Sequence, residues 1–196
     1  MDEMERVKVG ILISGRGSNM SALIAAAKAA DYPAEIALVI ANVADAGGLE
    51  AARAEGVEAL AIESRPYGKD RQAHEQAMDA ALRAAGVQVI CLAGFMRLLT
   101  PWFVDAWSGR MLNIHPSLLP DFKGLHTHAR AIEAGHVEAG CTVHIVTADL
   151  DDGPILGQAR VPVLPGDDEA TLAARVLTEE HRLYPQCLAE FCRTLG

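Results

Sequence analysis

Val7-Lys8-Val9-Gly10-Ile11-Leu12-Ile13-Ser14-Gly15-Arg16-Gly17-Ser18-Asn19 is the stretch that decides the architecture of this chain. Its first half, Val7 to Ile13, is an apolar run that reads as a strand. A loop with two glycines follows, and then an alanine-rich segment, Asn19 to Ala30, that reads as a helix ending before Pro33. Backbone N–H groups and the helix dipole favour an anion at such a strand–loop–helix junction. Gly15 and Gly17 let the backbone approach it closely. Two nucleotide-binding readings fail on individual residues. A P-loop needs Gly-Lys-Ser/Thr after the turn, and none follows. A dinucleotide fingerprint needs a small residue where Met20 stands, and an acid near the end of the second strand, where Asn42 stands. The loop suits a single phosphate monoester. A bare turn with no ligand is the competing reading.

The same alternation continues outward. Ala34 to Ala41 reads as a strand, Gly47 to Glu55 as a helix and Val57 to Ile62 as a short strand. Lys69 to Ala85 is a long amphipathic helix stopped by Gly86. Val87 to Ala93 is the most apolar strand, and so is expected at the sheet centre with both faces covered. Arg110 to Ile114 is the next strand. This order predicts an α/β fold with a doubly wound, mainly parallel sheet. The pattern then changes. Cys141 to Thr147 and Ile155 to Val161 read as a C-terminal β-hairpin joined by an acidic Gly-Pro turn. Asp168 to Leu195 reads as a closing helix, with acids at its start and Pro185 expected to bend or break it. No repeat, low-complexity segment or linker is visible, so residues 1–196 are read as a single domain.

Composition narrows the function classes. The 196 residues are 51% hydrophobic, which suits a folded domain with a substantial core. No apolar run approaches the roughly 18 residues of a membrane span. The acidic, polar start Met1 to Arg6 lacks the features of a secretory signal. The net charge of -9 lacks the basic excess of a general nucleic-acid binder. Cys91, Cys141, Cys187 and Cys192 form no C-x-x-C pair and read as reduced structural thiols of a cytoplasmic protein.

The chemistry is concentrated in Asn113-Ile114-His115-Pro116-Ser117-Leu118-Leu119-Pro120. Residues two apart in a strand share a face, so Asn113 and His115 project together from a strand end that Pro116 terminates. An amide donor beside an imidazole can hold a developing oxyanion and move a proton. A helix-capping Asn and a surface His are the bland alternative. Three further segments accompany this one: the glycine loop, Ala93-Gly94-Phe95-Met96-Arg97-Leu98-Leu99, and Thr147-Ala148-Asp149-Leu150-Asp151-Asp152-Gly153-Pro154.

Together these segments resemble the phosphoribosylglycinamide formyltransferase family, from about Val7 to Pro185. The Asn113–Pro120 segment is shared by formyl-tetrahydrofolate-using transferases at large. The glycine loop and Gly124-Leu125-His126-Thr127-His128 narrow the likeness. The resemblance implies a Rossmann-like formyltransferase fold, 10-formyltetrahydrofolate as formyl donor and no metal. It also implies small-molecule partners, with no nucleic acid or membrane, and a monomer or homodimer. It implies catalytic roles for Asn113, His115 and Asp151. Gly17, Ser18, Asn19 and Glu180 would bind the phosphoribosyl substrate. Arg71, Met96, Arg97, Leu98, Leu99, Asn113, Thr147 and Asp151 would bind the folate.

Each of these has a plainer reading. Met96–Leu99 could be core, Arg71 an exposed helix residue, and Glu180 part of a solvated helix face. Asp149 and Asp152 fit a solvated acidic turn. His126 and His128 invite a zinc reading, but no third well-placed His and no H-E-x-x-H accompanies them. His136 and His181 read as surface or helix residues. His144 reads as a core histidine or as one facing the site. Two residues depart from the family pattern: Asp152 stands for the first Gly of Leu-Asp-Gly-Gly, and Lys123 for a frequent Pro. Other formyl-folate enzymes, a deformylase among them, and a non-catalytic binding module are the alternative functions.

Overall fold

The computed structural model describes residues 5–195; the expectation for the polar start therefore falls partly outside the described residues. The chain runs β1 (Val7–Ile13), α1 (Ser18–Ala27), β2 (Ala34–Ala41), α2 (Gly47–Ala54) and β3 (Ala59–Ala61). A 3-10 turn (Arg65–Tyr67) leads to α3 (Arg71–Ala84), β4 (Val89–Leu92), α4 (Pro101–Ala106) and β5 (Met111–His115). Then come α5 (Thr127–Glu133), β6 (Glu138–Ile145), β7 (Ile155–Pro162) and α6 (Glu169–Arg193). The sheet order is β3-β2-β1-β4-β5-β6-β7. The first five of these are mutually parallel, whereas β6 is antiparallel to both β5 and β7. This is the doubly wound, mainly parallel sheet with an appended hairpin that the alternation predicts.

The alternation of side chains along each strand builds two cores. Val9, Ile11 and Ile13 of β1 join Met20, Leu23, Leu49, Val176 and Leu188 on the α1, α2 and α6 side. Leu12, Leu38, Ile40 and Ile90 face Met78 and Leu82 of α3, with Phe103 and Trp107, on the other. β4 lies at the centre of the sheet with all four residues buried, because helices cover both its faces. The four cysteines are free and buried. Burial pushes the Cys187 and Cys192 thiols up to about 11 and that of Cys141 to about 12, which keeps them inert near neutrality. No helix among the described residues is long and apolar enough to cross a membrane.

Two expectations are narrowed and two helices are added. Of the bend or break expected at Pro185, the break does not occur: α6 continues as helix from Glu169 to Arg193. Two tyrosines pin it there. The Tyr184 hydroxyl reaches Leu92 O at 2.8 Å and Leu112 O at 3.1 Å, and Tyr32 donates to Pro185 O at 2.7 Å. Packing along the helix outweighs the lost backbone bond of a proline. The strand expected from Cys141 begins earlier, at Glu138, and ends at Ile145, so Thr147 lies in the following turn. The sequence reading also missed α4 and α5, two helices of only 6 and 7 residues.

Tyr184→Phe removes a fully buried hydroxyl that ties α6 to β4 and β5. A stability loss of about 1–2 kcal/mol is expected, measured as a lower urea midpoint at unchanged slope.

Candidate active site

Parallel strands end on one edge, and ligands of such sheets gather there. Ser14, Ala93 and His115 follow or close β1, β4 and β5, and α1, α2 and α3 start from the same side. The antiparallel return of β6 completes the site. Its register places His144 opposite Asn113 and Thr142 opposite His115. Leu112, Ile114, Cys141 and Val143 point into the α6-side core. Alternation therefore sets Asn113, His115, Thr142 and His144 together on the opposite face.

Asp151 is brought to that face by the turn between β6 and β7. Its Oδ2 lies 3.4 Å from His115 Nδ1 and accepts the Gly124 N–H at 3.0 Å, and its Oδ1 lies 3.7 Å from His144 Nε2. His115 Nε2 donates to Phe122 O at 2.8 Å. Each nitrogen of this buried imidazole thus faces an oxygen. Asp151 is 8% exposed and adopts φ 49. Asp tolerates that left-handed region better than most residues, and backbone strain of this kind gathers at functional sites. Asp149 and Asp152 are exposed, as expected of solvated turn acids.

The two departures from the family pattern meet each other. The Lys123 ammonium pairs with the Asp152 carboxylate across the Gly124–Asp151 hydrogen bond. Asp152 is not among the residues with positive φ, so a side chain is tolerated there. Gly153 is different: a Cβ at that position would sit 1.7 Å from Ile145 O.

At the first loop, Gly17 takes φ 68 and precedes α1, which has neither a side-chain cap nor an acid in its first turn. By contrast, α3 and α6 are capped by Asp70 and Asp168. Asn19 and Glu180, 161 residues apart, meet through Asn19 Nδ2 donating to Glu180 Oε1 at 3.1 Å. Both are buried, and Asn19 Oδ1 has no partner among the described residues. Burial pushes the Glu180 carboxyl above its usual range, partly offset by that amide. Glu180 is therefore not on a solvated helix face.

The segment from Gly94 to Thr100 has no regular structure and holds Met96 and Leu98 in solvent. Those two are not core residues, while Arg97 and Leu99 are half-buried. Arg71 is exposed in the first turn of α3. Thr147 is half-buried beside the acidic turn.

His144, read either as a core histidine or as one facing the site, faces it, and Gly48, Asn42 and Glu75 are contributors that the sequence reading does not assign to the site. His144 faces Asp151, and burial pushes its pKa down, so its buried Nε2 is unpaired in the neutral form. Only the β5–β6 register reveals this. Gly48 supports the first loop: its N–H donates to Gly15 O at 3.0 Å, and a Cβ there would meet Ile13 Cδ1 at 2.4 Å. Asn42, where a dinucleotide fold places an acid, accepts from the Ser14 hydroxyl at 2.6 Å. Glu75 is buried in α3 against Thr100. Among the described residues no group of three or more His, Cys, Asp or Glu side chains is placed to hold a metal ion.

A family model described as formyl transferase matches residues 7–188. The phosphoribosylglycinamide formyltransferase of Escherichia coli (strain K12) is 44% identical over 185 residues, covering 94% of this chain and 87% of that protein. The trifunctional purine biosynthetic protein adenosine-3 of Drosophila pseudoobscura pseudoobscura is 48% identical over 186 residues, or 94% of this chain. The chain spans only 14% of that relative's length. Among solved structures, a phosphoribosylglycinamide formyltransferase from Brucella melitensis superposes with a TM-score of 0.92 at 55% identity, covering 96% of each chain.

Gly153→Ala is expected to cost more than about 2 kcal/mol, because its Cβ has no room beside Ile145 O. Asp152→Gly should leave the unfolding midpoint nearly unchanged, since an exposed ion pair contributes little. Parallel urea melts of the two variants make the comparison.

Proposed function

The chain belongs to the formyl transferase family, and from that premise we propose that it carries a formyl group from 10-formyltetrahydrofolate to the amine of glycinamide ribonucleotide. The observation that carries this reading is the buried Asp151 carboxylate beside His115, with Asn113 on the same face two residues upstream. The amine attacks the formyl carbon, and the carbonyl oxygen gains negative charge. Asn113 and the His115 Nε2–H donate to that oxygen, the latter exchanging the Phe122 carbonyl for it, which lowers the barrier. The new N–C bond forms, the bond to N10 of the folate breaks, and the proton lost by the amine is passed to N10 through His115 or a bound water. Asp151 faces Nδ1 and fixes the orientation of the imidazole. Placing both reactants on one sheet edge converts a bimolecular encounter into a local one.

The binding roles follow the same edge. Gly17, Ser18 and Asn19, at the uncapped start of α1, receive the phosphoribosyl group. Glu180 accepts from the ribose hydroxyls, and the free Asn19 Oδ1 offers a second acceptor. Met96 to Leu99, with Arg71 and Thr147, line the folate side. The apolar, exposed Met96 and Leu98 side chains suit a flat pterin.

A single-turnover assay with both substrates tests the reading. Formyl-folate consumption that requires the ribonucleotide supports transfer to its amine. Equal consumption in water alone contradicts it and makes the chain a deformylase.

The raised pKa of Glu180 gives a signed pH dependence. The ionised carboxylate accepts two hydroxyls well, and this form is lost as pH falls through the raised value. Ribonucleotide affinity in wild type should therefore fall more steeply on acidification than in Glu180→Gln, where the same substrate groups titrate but this carboxyl does not. Calorimetry of both proteins between pH 8 and about 5 measures the difference.

A further inference from the structure

The segment Gly94–Thr100 carries the side chains assigned to the folate, yet it belongs to neither a helix nor a strand. Something outside the segment must fix its backbone. Two buried or half-buried polar groups, far away in sequence and outside the reacting centre, do so. At its start, the Met96 N–H donates to Ser14 Oγ at 2.8 Å, and the Ser14 hydroxyl donates in turn to Asn42 Oδ1 at 2.6 Å. Both roles of that hydroxyl are therefore engaged. At its end, the Thr100 N–H donates to Glu75 Oε2 at 2.8 Å, and the Thr100 hydroxyl donates to Glu75 Oε1.

Glu75 needs an explanation in its own right. It is 2% exposed on the face of α3 that also buries Met78 and Leu82. An apolar side chain would serve the core there at no desolvation cost, whereas a buried carboxylate is tolerated only when it is hydrogen-bonded. Among the described residues its hydrogen-bond partners are both on Thr100. Thr100 precedes α4 without capping it, so its hydroxyl is committed to Glu75. Ser14 poses the same question at the other end, because it stands at the root of the phosphate loop and points to the neighbouring loop instead.

We propose that Ser14 and Glu75 are positioning residues that peg the Gly94–Thr100 loop at both ends and thereby set the donor pocket, an inference that rests on the folate reading of Met96–Leu99. Between the pegs the loop presents its backbone and the Met96 and Leu98 side chains at a fixed height above the sheet. Neither peg touches the reacting atoms; each acts through the loop. Loosening either one should weaken the folate donor selectively, since Gly17, Asn19 and Glu180 keep their own supports.

The test uses the full chain with Ser14→Ala, Glu75→Ala and Glu75→Gln made separately. Ser14→Ala and Glu75→Ala are expected to raise the donor KM, and the Kd of a folate analogue, by about 10-fold, the scale of one lost hydrogen bond. Glu75→Gln keeps one acceptor for the Thr100 N–H and should fall between Glu75→Ala and wild type. The ribonucleotide KM should stay within about twofold, because its contacts are untouched. Amide hydrogen exchange at Met96 should accelerate in Ser14→Ala, a readout independent of turnover. Should Glu75→Ala fail to fold, Ser14→Ala and Glu75→Gln decide. Unchanged donor KM in folded variants of an active wild type overturns the pegs alone. Equal rises in both substrate KM values show a general structural role and also overturn them. A wild type that binds no folate analogue removes the folate reading and the pegs together.

Discussion

The Asp151 carboxylate is the point on which the rest of the site depends. It is buried, it stands in a left-handed backbone conformation, and three segments converge on it. β5 contributes His115, the segment before α5 contributes the Gly124 N–H, and β6 contributes His144. A buried charge left alone would be costly. The contacts that relieve it also orient the imidazole and hold the 122–124 segment against the turn. The antiparallel return of β6 makes this possible, since it lets the turn after it fold across the face that carries Asn113 and His115.

The remaining design is a division of labour along one sheet edge. Backbone amides at an uncapped helix start suit a phosphate, and a buried Asn–Glu pair suits a ribose. An irregular loop with exposed apolar side chains suits a flat ring. Each of these rests on a support from another part of the chain. Gly48 leaves room for the first loop, α6 carries Glu180 back to α1, and α3 carries Glu75 to the end of the Gly94–Thr100 loop. The scaffold helices therefore act on the site through a few polar contacts as well as through packing.

Local patterns in the sequence are read well, and nonlocal register is not. The period-two relation of Asn113 and His115 and the proline stop after them need only the strand itself. The α/β alternation and the central place of β4 are likewise local signals. His144 could not be assigned, because its facing direction depends on pairing with a strand 31 positions away in the chain, as counted between Asn113 and His144. Glu75 carries a local signal, an acid on the helix face shared with Met78 and Leu82, but its partner Thr100 is supplied only by the fold. Asn42 stands where a dinucleotide fold has an acid, and its amide oxygen instead accepts from Ser14. Lys123 and Asp152 looked like two unrelated departures until the fold paired them. Pro185 was given its local weight, and the tertiary contacts of Tyr32 and Tyr184 outweighed it.

The proposed transfer chemistry depends on the charge of Asp151. Asp151→Asn keeps the size of the side chain and an acceptor for the Gly124 N–H while removing the charge that faces His115. A single-turnover measurement with both substrates saturating, on a variant whose calorimetric affinities match wild type, isolates the chemical step. The account predicts a formyl-transfer rate lower by roughly 10²-fold or more, on the scale of losing an electrostatic contact in the transition state. A transfer rate within about threefold of wild type, at matched binding, would contradict it.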